Sequence, residues 1–365
     1  MSWIEETVRK AETGGTYKPG ETLSEYSPGT GVQSSELVKL NANENTFLSK
    51  EYQQRLVKMA AERVDPRLYP SEDGRLERRL ESILDVESGS IVLGNGSDQL
   101  IELLVYTLLK EGDEIVAVNP TFSMYRRAAE IQGVAYRPVD LYPDFSLNVE
   151  GLLEAVTPNA RMMVICNPNN PTGNQFDEEK ILQILESFDG LLVVDEAYVD
   201  YADYTMAGKT EGYSNLVVLR TFSKAYGLAG IRLGYVVVNV RLAAALKGYF
   251  QMPYTVSELT QEIGLEALKN QEAVMDSVNK TIEMRDWLYK SMSVLPGVKV
   301  FDSDTNFLLF TTPKPSKDVY YSLLERGVMI RRFDRIMEHE NCLRVTIGPK
   351  KDLTRFLEAL KEALV

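Results

Sequence analysis

Residues 90–118 have the sequence SIVLGNGSDQLIELLVYTLLKEGDEIVAV, in which two short apolar runs flank a long amphipathic segment. The runs SIVL (90–93) and EIVAV (114–118) show little polar alternation, which is typical of strands buried on both faces of a parallel sheet. The segment between them, 99–112, has apolar residues at helical spacing. A strand, a helix and a second strand in this order predict a crossover unit of an open α/β sheet.

The same pattern continues along the chain to about residue 240. Further apolar runs, with helical stretches between several of them, are RMMVIC (161–166), LLVVD (191–195), NLVVL (215–219) and GYVVV (234–238). Strands that alternate with helices indicate one mostly parallel central sheet flanked by helices.

The pattern changes after about residue 250, where a long charged helical stretch precedes the strands TNFLLFT (305–311) and NCLRVTI (341–347) and a final helix. This order is typical of a smaller α+β domain. We therefore predict an N-terminal arm (1–36), a large cofactor-binding domain (37–252) and a small C-terminal domain (253–365).

Composition limits the function. The chain has 365 residues, of which 44% are hydrophobic and 25% charged, as in soluble globular proteins of two domains. The net charge of -13 disfavours nucleic acid as the main partner, because phosphate binding needs a basic surface. No apolar run approaches the roughly 20 residues that span a bilayer, and the charged start MSWIEETVRK lacks an apolar signal core. We expect a cytoplasmic protein without membrane contact.

Metal-binding side chains are scarce. The chain contains one histidine, His339, and two cysteines, Cys166 and Cys342. This content rules out a disulfide framework and a cysteine-based zinc site, and it makes a histidine-rich metal site hard to build, so we expect no metal. His339 lies in the charged stretch RIMEHEN, which favours a surface position over the role of a general base.

Ligands of open α/β sheets bind beyond the carboxyl ends of the strands, so the loops after the apolar runs are candidate sites. In GNGSD (94–98), glycines would let a phosphate approach the backbone, and a helix N-terminus offers N–H groups to an anion. Gln99 stands where the dinucleotide fingerprint G-x-G-x-x-G requires glycine, and the chain has no Walker loop. A turn with Ser97 or Asp98 as the helix N-cap explains this stretch equally well.

The next three loops add an aromatic ring, amides and a carboxylate. NPTF contributes Phe122, which core packing alone would also explain, and NPNNPTG (167–173) contributes paired asparagines. Asp195 ends the apolar run in VVDEAY, where a carboxylate is costly unless it meets a cation or a donor. A helix cap is the alternative for Asp195, and the position at the end of an apolar run favours it less. Tyr198, three residues later, has a phenol for the same cavity.

The segment TFSKAYGLAGIR (221–232) adds Ser223, Lys224 and Arg232. A lysine in a partly desolvated site loses its proton more readily and becomes a nucleophilic amine. At one sheet edge, these groups match a ligand with a phosphate, a flat ring, a ring nitrogen, a ring hydroxyl and an aldehyde. Pyridoxal phosphate has all five.

The chain resembles the fold-type I pyridoxal-phosphate aminotransferases over nearly its whole length, since NPNNPTG, VVDEAY and SKAYGLAGIRLGY occur in that family's order. The resemblance implies that Lys224 binds the cofactor aldehyde and moves protons, and that Asp195 keeps the pyridine nitrogen protonated. It also implies that Asn170 and Tyr198 bind the ring oxygen and that Phe122 stacks on the ring. The residues implied for the phosphate are Gly96, Ser97, Asp98, Ser223 and Arg232.

Within that family the chain is similar to the class II group of histidinol-phosphate aminotransferases, through KLNANEN (39–45), YPSEDG and PTFSMY. Tyr69 matches a tyrosine that reaches the cofactor phosphate in the active site of the partner subunit. The resemblance therefore implies a homodimer with shared active sites. Phe122 stands where many relatives have tyrosine, which keeps the stacking but removes a hydroxyl.

The resemblance also implies a set of substrate residues. Arg344, in LRVTIG, matches an arginine that clamps the substrate carboxylate, for which a bidentate fork is well suited. Arg331 matches a second substrate arginine, and Arg332 beside it is an alternative. Tyr17 in the arm and Asn43 in KLNANEN are the remaining predicted substrate residues.

The implied reaction is transamination of L-histidinol phosphate with 2-oxoglutarate, which gives imidazole-acetol phosphate and glutamate in histidine biosynthesis. Aromatic amino-acid aminotransferases acting on phenylalanine or tyrosine, and a threonine-phosphate decarboxylase, share most of these motifs and remain alternatives. A non-catalytic pyridoxal-phosphate sensor is disfavoured because the chain lacks a basic DNA-binding segment. A nicotinamide dehydrogenase is disfavoured by the missing glycine fingerprint.

Overall fold

The computed structural model describes residues 2–13 and 37–365, so the predicted substrate residue Tyr17 lies outside the described residues. A seven-stranded sheet forms the centre of the larger part. Its strands are β2 (Ile91–Gly94), β3 (Glu114–Asn119), β4 (Ala135–Asp140), β5 (Ala160–Cys166), β6 (Leu191–Asp195), β7 (Leu216–Thr221) and β8 (Gly234–Val238).

The spatial order in this sheet is β2-β8-β7-β6-β5-β3-β4. Strand β8 is antiparallel to both of its neighbours, and the other pairings are parallel. The predicted mostly parallel α/β sheet is therefore confirmed. The antiparallel position of β8 follows from the short connection, residues 222–233, that leads back from β7.

Helices lie on the sheet and around it. Helices in the described residues include α1 (Trp3–Thr13), α2 (Lys50–Ala61), α3 (Arg75–Leu84), α4 (Gly96–Leu108), α5 (Met124–Gln132), α6 (Val149–Glu154), α7 (Glu178–Ser187), α8 (Val240–Ala245), α9 (Glu258–Lys269), α10 (Gln271–Ser293), α11 (Ser316–Glu325) and α12 (Lys350–Leu364). Asn270 divides the long charged stretch into α9 and α10, and its side-chain amide donates to the carbonyl of Glu266 at 2.8 Å.

Buried side chains alternate between the two faces of the large sheet. Met162 and Val164 belong to the core on one face, whereas Met163 and Ile165 belong to the core on the other. Because both faces are covered, each position along β5 favours an apolar residue. This confirms the interpretation of the uninterrupted apolar runs.

Strand β4 is the element that the apolar pattern does not predict. It is an edge strand, paired only with β3, and most of its side chains are exposed or half-buried. It also contains Pro138, which edge strands tolerate because one side of the strand needs no ladder hydrogen bond. Its sequence, AYRPVD, therefore lacks the signal of a buried strand.

The smaller part contains a four-stranded antiparallel sheet in the order β12-β13-β10-β9. Its strands are β9 (Lys299–Val300), β10 (Phe307–Thr311), β12 (Arg331–Ile336) and β13 (His339–Thr346). A separate parallel pair joins β1 (Val38–Lys39) to β11 (Val328–Met329).

Two packing contacts cross the predicted domain limits. Val38 and Leu40 belong to the apolar core of the smaller part, together with Phe310 and Phe356. Helix α9 instead contributes Ile263 to the core of the large sheet. The division at residues 37 and 253 stays a prediction, and these contacts suggest shifting both limits toward the C-terminus.

Candidate active site

A cavity of about 380 Å³ lies where the carboxyl ends of β5, β6 and β7 face the small antiparallel sheet. This volume is in the range of small-molecule sites. The predicted residues that line it are Asn43, Ser97, Asp98, Phe122, Asn170, Asp195, Tyr198, Ser223, Lys224, Arg232, Arg331 and Arg344. The structure thus brings together residues from loops that are up to 301 positions apart in the chain, between Asn43 and Arg344.

Lys224 extends into this cavity from the loop that follows β7. Its Nζ donates to the carbonyl of Ala42 at 3.2 Å and lies 5.5 Å from the centroid of the Tyr198 ring. The side chain is half-buried. The amine therefore has one neutral acceptor and an aromatic face beside it. The neighbouring residue, Ser223, accepts a hydrogen bond from Thr221 Oγ1 at 2.9 Å.

Asp195 is buried at the end of β6, with 5% of its surface exposed. Its Oδ2 accepts from the Tyr125 hydroxyl at 3.0 Å, and its Oδ1 accepts from the backbone N–H of Ala197 at 3.1 Å. Burial raises the pKa of Asp195 to about 6, against the lowering effect of these two hydrogen bonds. A carboxylate in such a place is suited to a cationic partner in the cavity. The hydrogen bond from Ala197, two residues later in the chain, resembles that of a helix cap. The cap alternative does not explain the second oxygen, which bonds to Tyr125.

The opposite end of the cavity can hold an anion. Helix α4 begins at Gly96 with Asn95 as its N-cap, and no capping side-chain hydrogen bond forms there. The alternative that Ser97 or Asp98 caps this helix is wrong, because both lie inside its first turn. Unpaired N–H groups at such a helix start attract phosphate.

Glycines make this end of the cavity compact. Gly96 has φ +80°, and a Cβ at Gly234 would lie 2.6 Å from the backbone nitrogen of Ser97. Arg232 fills the space beside Gly96 and pairs through Nη2 with Asp98 Oδ2 at 2.9 Å. The guanidinium is thereby held over the helix start, where it would add charge to the anion site.

Tyr198 and Asn43 form a polar link between the two sheets. The Asn43 amide donates to the Tyr198 hydroxyl at 2.9 Å. Thr346 on β13 holds Asn43 through two hydrogen bonds. Its hydroxyl accepts from the Asn43 backbone N–H at 2.9 Å and donates to Asn43 Oδ1 at 3.2 Å. Asn43 thus lines the cavity but is already bonded to a predicted cofactor residue.

Two arginines of the small sheet line the cavity. Arg344 is buried, and its Nη1 donates to Asn170 Oδ1 at 2.6 Å, while its guanidinium carbon lies 4.9 Å from the centroid of the Phe307 ring. Arg331 lies on the neighbouring strand, directly opposite Arg344 in register. A pair of cations at this wall can bind an anionic substrate group.

The alternative residue Arg332 does not line this cavity. Successive side chains of a strand point to opposite faces, so Arg332 points away from the face that Arg331 presents. Its Nε pairs with Asp334 Oδ1 at 3.1 Å, and its guanidinium carbon lies 5.7 Å from the centroid of the Tyr320 ring. The suggestion that Arg332 replaces Arg331 is therefore wrong.

Two other residues lie outside the cavity. Tyr69 is 80% exposed and stacks on Tyr254, with ring centroids 4.8 Å apart. The side chain of His339 is 15% exposed and lies between Phe145 and Phe301, so the expected surface position is wrong. The sequence did not predict this packing, because the charged residues around His339 are typical of an exposed segment.

Several residues of the site were not predicted. Tyr125 bonds to Asp195, Thr346 holds Asn43, and Phe333 joins the cavity wall on the same strand as Arg331. Phe333 follows Arg331 by two positions, and strand alternation would have identified it. Tyr125 and Thr346 give no such signal, because their partners are distant in sequence.

Within residues 2–13 and 37–365, no group of three or more His, Cys, Asp or Glu side chains is arranged to hold a metal ion. No helix in those same residues is both long enough and apolar enough to cross a membrane.

The residues present fit pyridoxal phosphate. A buried carboxylate faces the cavity where a ring nitrogen needs a counter-ion, and the start of α4 faces it, through Ser97 and Asp98, where a phosphate needs donors. Lys224 lies in the same cavity, with an amine for the aldehyde.

Comparison with known proteins agrees with this geometry. The family model described as aminotransferase class I and II matches residues 35–360. A histidinol-phosphate aminotransferase from Cytophaga hutchinsonii is 37% identical, over 90% of this chain and 92% of its own. One from Parabacteroides distasonis is also 37% identical, over 79% of this chain and 84% of its own.

A solved structure has the same fold. It is the histidinol-phosphate aminotransferase from Sinorhizobium meliloti in complex with pyridoxal-5'-phosphate, with a TM-score of 0.86 and 23% identity. The match covers 97% of this chain and 96% of that one.

Proposed function

Because this chain belongs to the class I and II aminotransferase family and is an aminotransferase, we propose that it transfers the amino group of L-histidinol phosphate to 2-oxoglutarate, with pyridoxal phosphate as cofactor. The products would be imidazole-acetol phosphate and glutamate, in histidine biosynthesis. The observation that carries the proposal is the convergence of Lys224, Asp195, Arg331 and Arg344 on one cavity, in a chain similar to histidinol-phosphate aminotransferases.

Pyridoxal phosphate, when bound, supplies an electron sink that accepts an amino group and returns it. Asp195 would hold the ring nitrogen, and the charge of its carboxylate would favour the protonated nitrogen. Asn170 and Tyr198 would hold the ring oxygen, and Phe122 would cover one face of the ring. The phosphate would be held by the start of α4 with Ser223 and Arg232.

Lys224 is the group that would move the proton. Its Nζ lies at the cavity, where it donates to the carbonyl of Ala42 at 3.2 Å, so it is within reach of a ligand bound there. The Tyr198 ring, 5.5 Å away, limits where the amine can move. The amine would therefore serve both to bind the cofactor aldehyde and to carry a proton from the substrate carbon.

Arg344 and Arg331 would bind the anionic groups of both substrates. Histidinol phosphate has a phosphate and no carboxylate, whereas 2-oxoglutarate and glutamate have two carboxylates. A guanidinium forms bidentate bonds with either kind of anion. The same two arginines can therefore serve both half-reactions, one after the other.

The proposal includes a homodimer. Tyr69 and Tyr254 stack on each other at the surface, and Leu68 and Met252 beside them are 70% and 79% exposed. Exposed apolar side chains grouped in this way are typical of an interaction surface. A second copy of the chain would cover the patch and would receive Tyr69 at its own cavity. Sedimentation of the purified protein would test this, and a monomer at micromolar concentration would contradict it.

A substrate panel tests the proposed reaction. We expect the highest kcat/KM for L-histidinol phosphate with 2-oxoglutarate, and a much lower value for phenylalanine or tyrosine. A higher kcat/KM for phenylalanine would replace the substrate with an aromatic amino acid. Carbon dioxide released from threonine phosphate without an oxo acid would instead show a decarboxylase.

A further inference from the structure

Tyr125 reaches the predicted ring-nitrogen partner from the side that faces away from the cavity. It lies on α5, and 1% of its surface is exposed. Its hydroxyl donates to Asp195 Oδ2 at 3.0 Å. We propose that Tyr125 is a positioning residue that fixes both the orientation and the ionised form of Asp195. This inference rests on the proposed function, in which Asp195 holds the cofactor nitrogen.

Two protein donors hold the carboxylate at both ends. Tyr125 bonds to Oδ2, and the backbone N–H of Ala197 bonds to Oδ1 at 3.1 Å. A carboxylate has about four acceptor sites, so these donors leave capacity for a partner in the cavity. With both oxygens fixed, the carboxylate cannot rotate about its terminal bond without losing a buried hydrogen bond.

The direction of the hydrogen bond determines which form of Asp195 it favours. Burial and the charge of Asp195 raise the pKa of Tyr125 well above its ordinary value, so the phenol keeps its proton. A phenol that donates favours the ionised carboxylate, and it lowers the pKa of Asp195 while burial raises it. Without this donor, burial would raise the pKa of Asp195 further.

Other ionisable groups near Asp195 cannot replace Tyr125. The Cys166 thiol is opposite Asp195 in the β5–β6 register and also bonds to it, but a thiol is a weak donor, and it lowers the pKa of Asp195 less than Tyr125 does. Asp98 is a second carboxylate whose charge disfavours ionisation of Asp195. Lys224 and Arg232 line the same cavity, and Arg232 is already paired with Asp98.

The test compares Tyr125→Phe with the parent protein. Cofactor affinity is measured from about pH 5 to about pH 9 by equilibrium dialysis of pyridoxal phosphate, and kcat/KM is measured over the same range. We expect the loss of affinity on the acid side to begin about one to two pH units higher in the variant, because a hydrogen bond to a charged group is removed. At about pH 9, where Asp195 is ionised in both proteins, the affinities should agree within a few-fold.

Tyr204→Phe is the matched control. Tyr204 is a partly buried tyrosine that does not line the cavity. Its hydroxyl donates to the carbonyl of Phe176 at 2.6 Å and accepts from the Asn167 amide at 3.0 Å. This variant should lose both of these hydrogen bonds but keep the parent pH profile. An unchanged profile in Tyr125→Phe would overturn the inference, and an equal shift in Tyr204→Phe would reduce it to a general effect of destabilisation.

A second substitution covers the case in which Tyr125→Phe does not fold. Incorporation of 3-fluorotyrosine at position 125 makes the phenol a stronger donor at nearly the same volume. The loss of cofactor affinity on the acid side should then begin at a lower pH than in the parent protein. No movement would overturn the inference. If the parent protein binds no pyridoxal phosphate at any pH, the proposed function itself fails, which these variants do not decide.

Discussion

The guanidinium of Arg344 donates to the side-chain oxygen of Asn170 at 2.6 Å, although 174 positions separate the two residues. Asn170 follows β5 of the large sheet, and Arg344 lies on β13 of the small one. The contact therefore joins a predicted cofactor residue to a predicted substrate residue across the cavity. In the proposed enzyme, a substrate anion on Arg344 would lie next to the amide that binds the cofactor ring oxygen.

Arg344→Lys should lower kcat/KM for L-histidinol phosphate by about 10- to 100-fold. Lysine keeps the charge but loses the planar fork, and hydrogen bonds to charged groups contribute about 1.5–3 kcal/mol. Steady-state kinetics measure the effect. Arg332→Lys is the matched control, because Arg332 pairs with Asp334 outside the cavity, and it should change kcat/KM by less than about twofold. Equal losses in both variants would show that Arg344 has no special role.

Lys224→Ala should lower the transamination rate by more than about 10³-fold, because general acid–base catalysis alone contributes about 10²–10⁴-fold and the covalent site is lost as well. Cofactor binding should remain measurable by dialysis, since the residues that would hold the phosphate and the ring are unchanged. Full activity in this variant would refute the mechanism.

Asp195→Asn should stabilise the cofactor-free protein at about pH 8 but not at about pH 4. Burial raises the pKa of Asp195 from 3.8 to about 6, so the native state binds more protons than the unfolded state between these values. Stability therefore falls as pH rises through this window, and above it the ionised carboxylate costs on the order of 3 kcal/mol. The amide carries no charge and removes this cost.

Thermal unfolding of both cofactor-free proteins at the two pH values measures the difference. The amide in the Asp195→Asn variant keeps both contacts, since its oxygen accepts from Ala197 and its nitrogen donates to the Tyr125 hydroxyl, which rotates to accept. With pyridoxal phosphate added, the order should reverse, because only the carboxylate pairs with the protonated ring. A variant that is less stable than the parent at both pH values would contradict this account of Asp195.

Arg220 and Glu196 form a buried ion pair behind the site, and replacing either one alone should destabilise the fold by about 3–5 kcal/mol. Arg220 Nη2 lies 2.9 Å from Glu196 Oε2, with 10% and 0% of the two side chains exposed. Glu196 follows Asp195 directly, and Arg220 lies near the end of the strand that leads to Lys224. Urea unfolding of Arg220→Met, Glu196→Gln and the double variant gives the coupling energy. Additive losses would show that the two charges do not interact.

The large sheet could be predicted from sequence because both of its faces are covered, which leaves uninterrupted apolar runs such as 161–166 and 191–195. Strand β4 could not, because an edge strand with Pro138 and exposed side chains carries no such signal. Loops at the carboxyl ends of these strands bring Asp195 and Lys224 to one cavity, as the topology requires.

Contacts between the two sheets were beyond sequence reasoning. Nothing in the segment around Thr346 indicates that its hydroxyl holds Asn43, which lies 303 positions away. Tyr125 is similar, because its helix predicts only a buried ring and not the carboxylate that its hydroxyl meets. Such pairs depend on how two distant segments pack, and a local pattern contains no record of that packing.

The most direct test of the central claim is an absorbance spectrum of the purified protein with pyridoxal phosphate, recorded before and after addition of L-histidinol phosphate. We predict that the visible band of the protein-bound cofactor disappears as the amino group is transferred, and that 2-oxoglutarate restores it. A band that histidinol phosphate leaves unchanged but phenylalanine removes would contradict the proposed substrate. The absence of any protein-bound band would contradict the cofactor site itself.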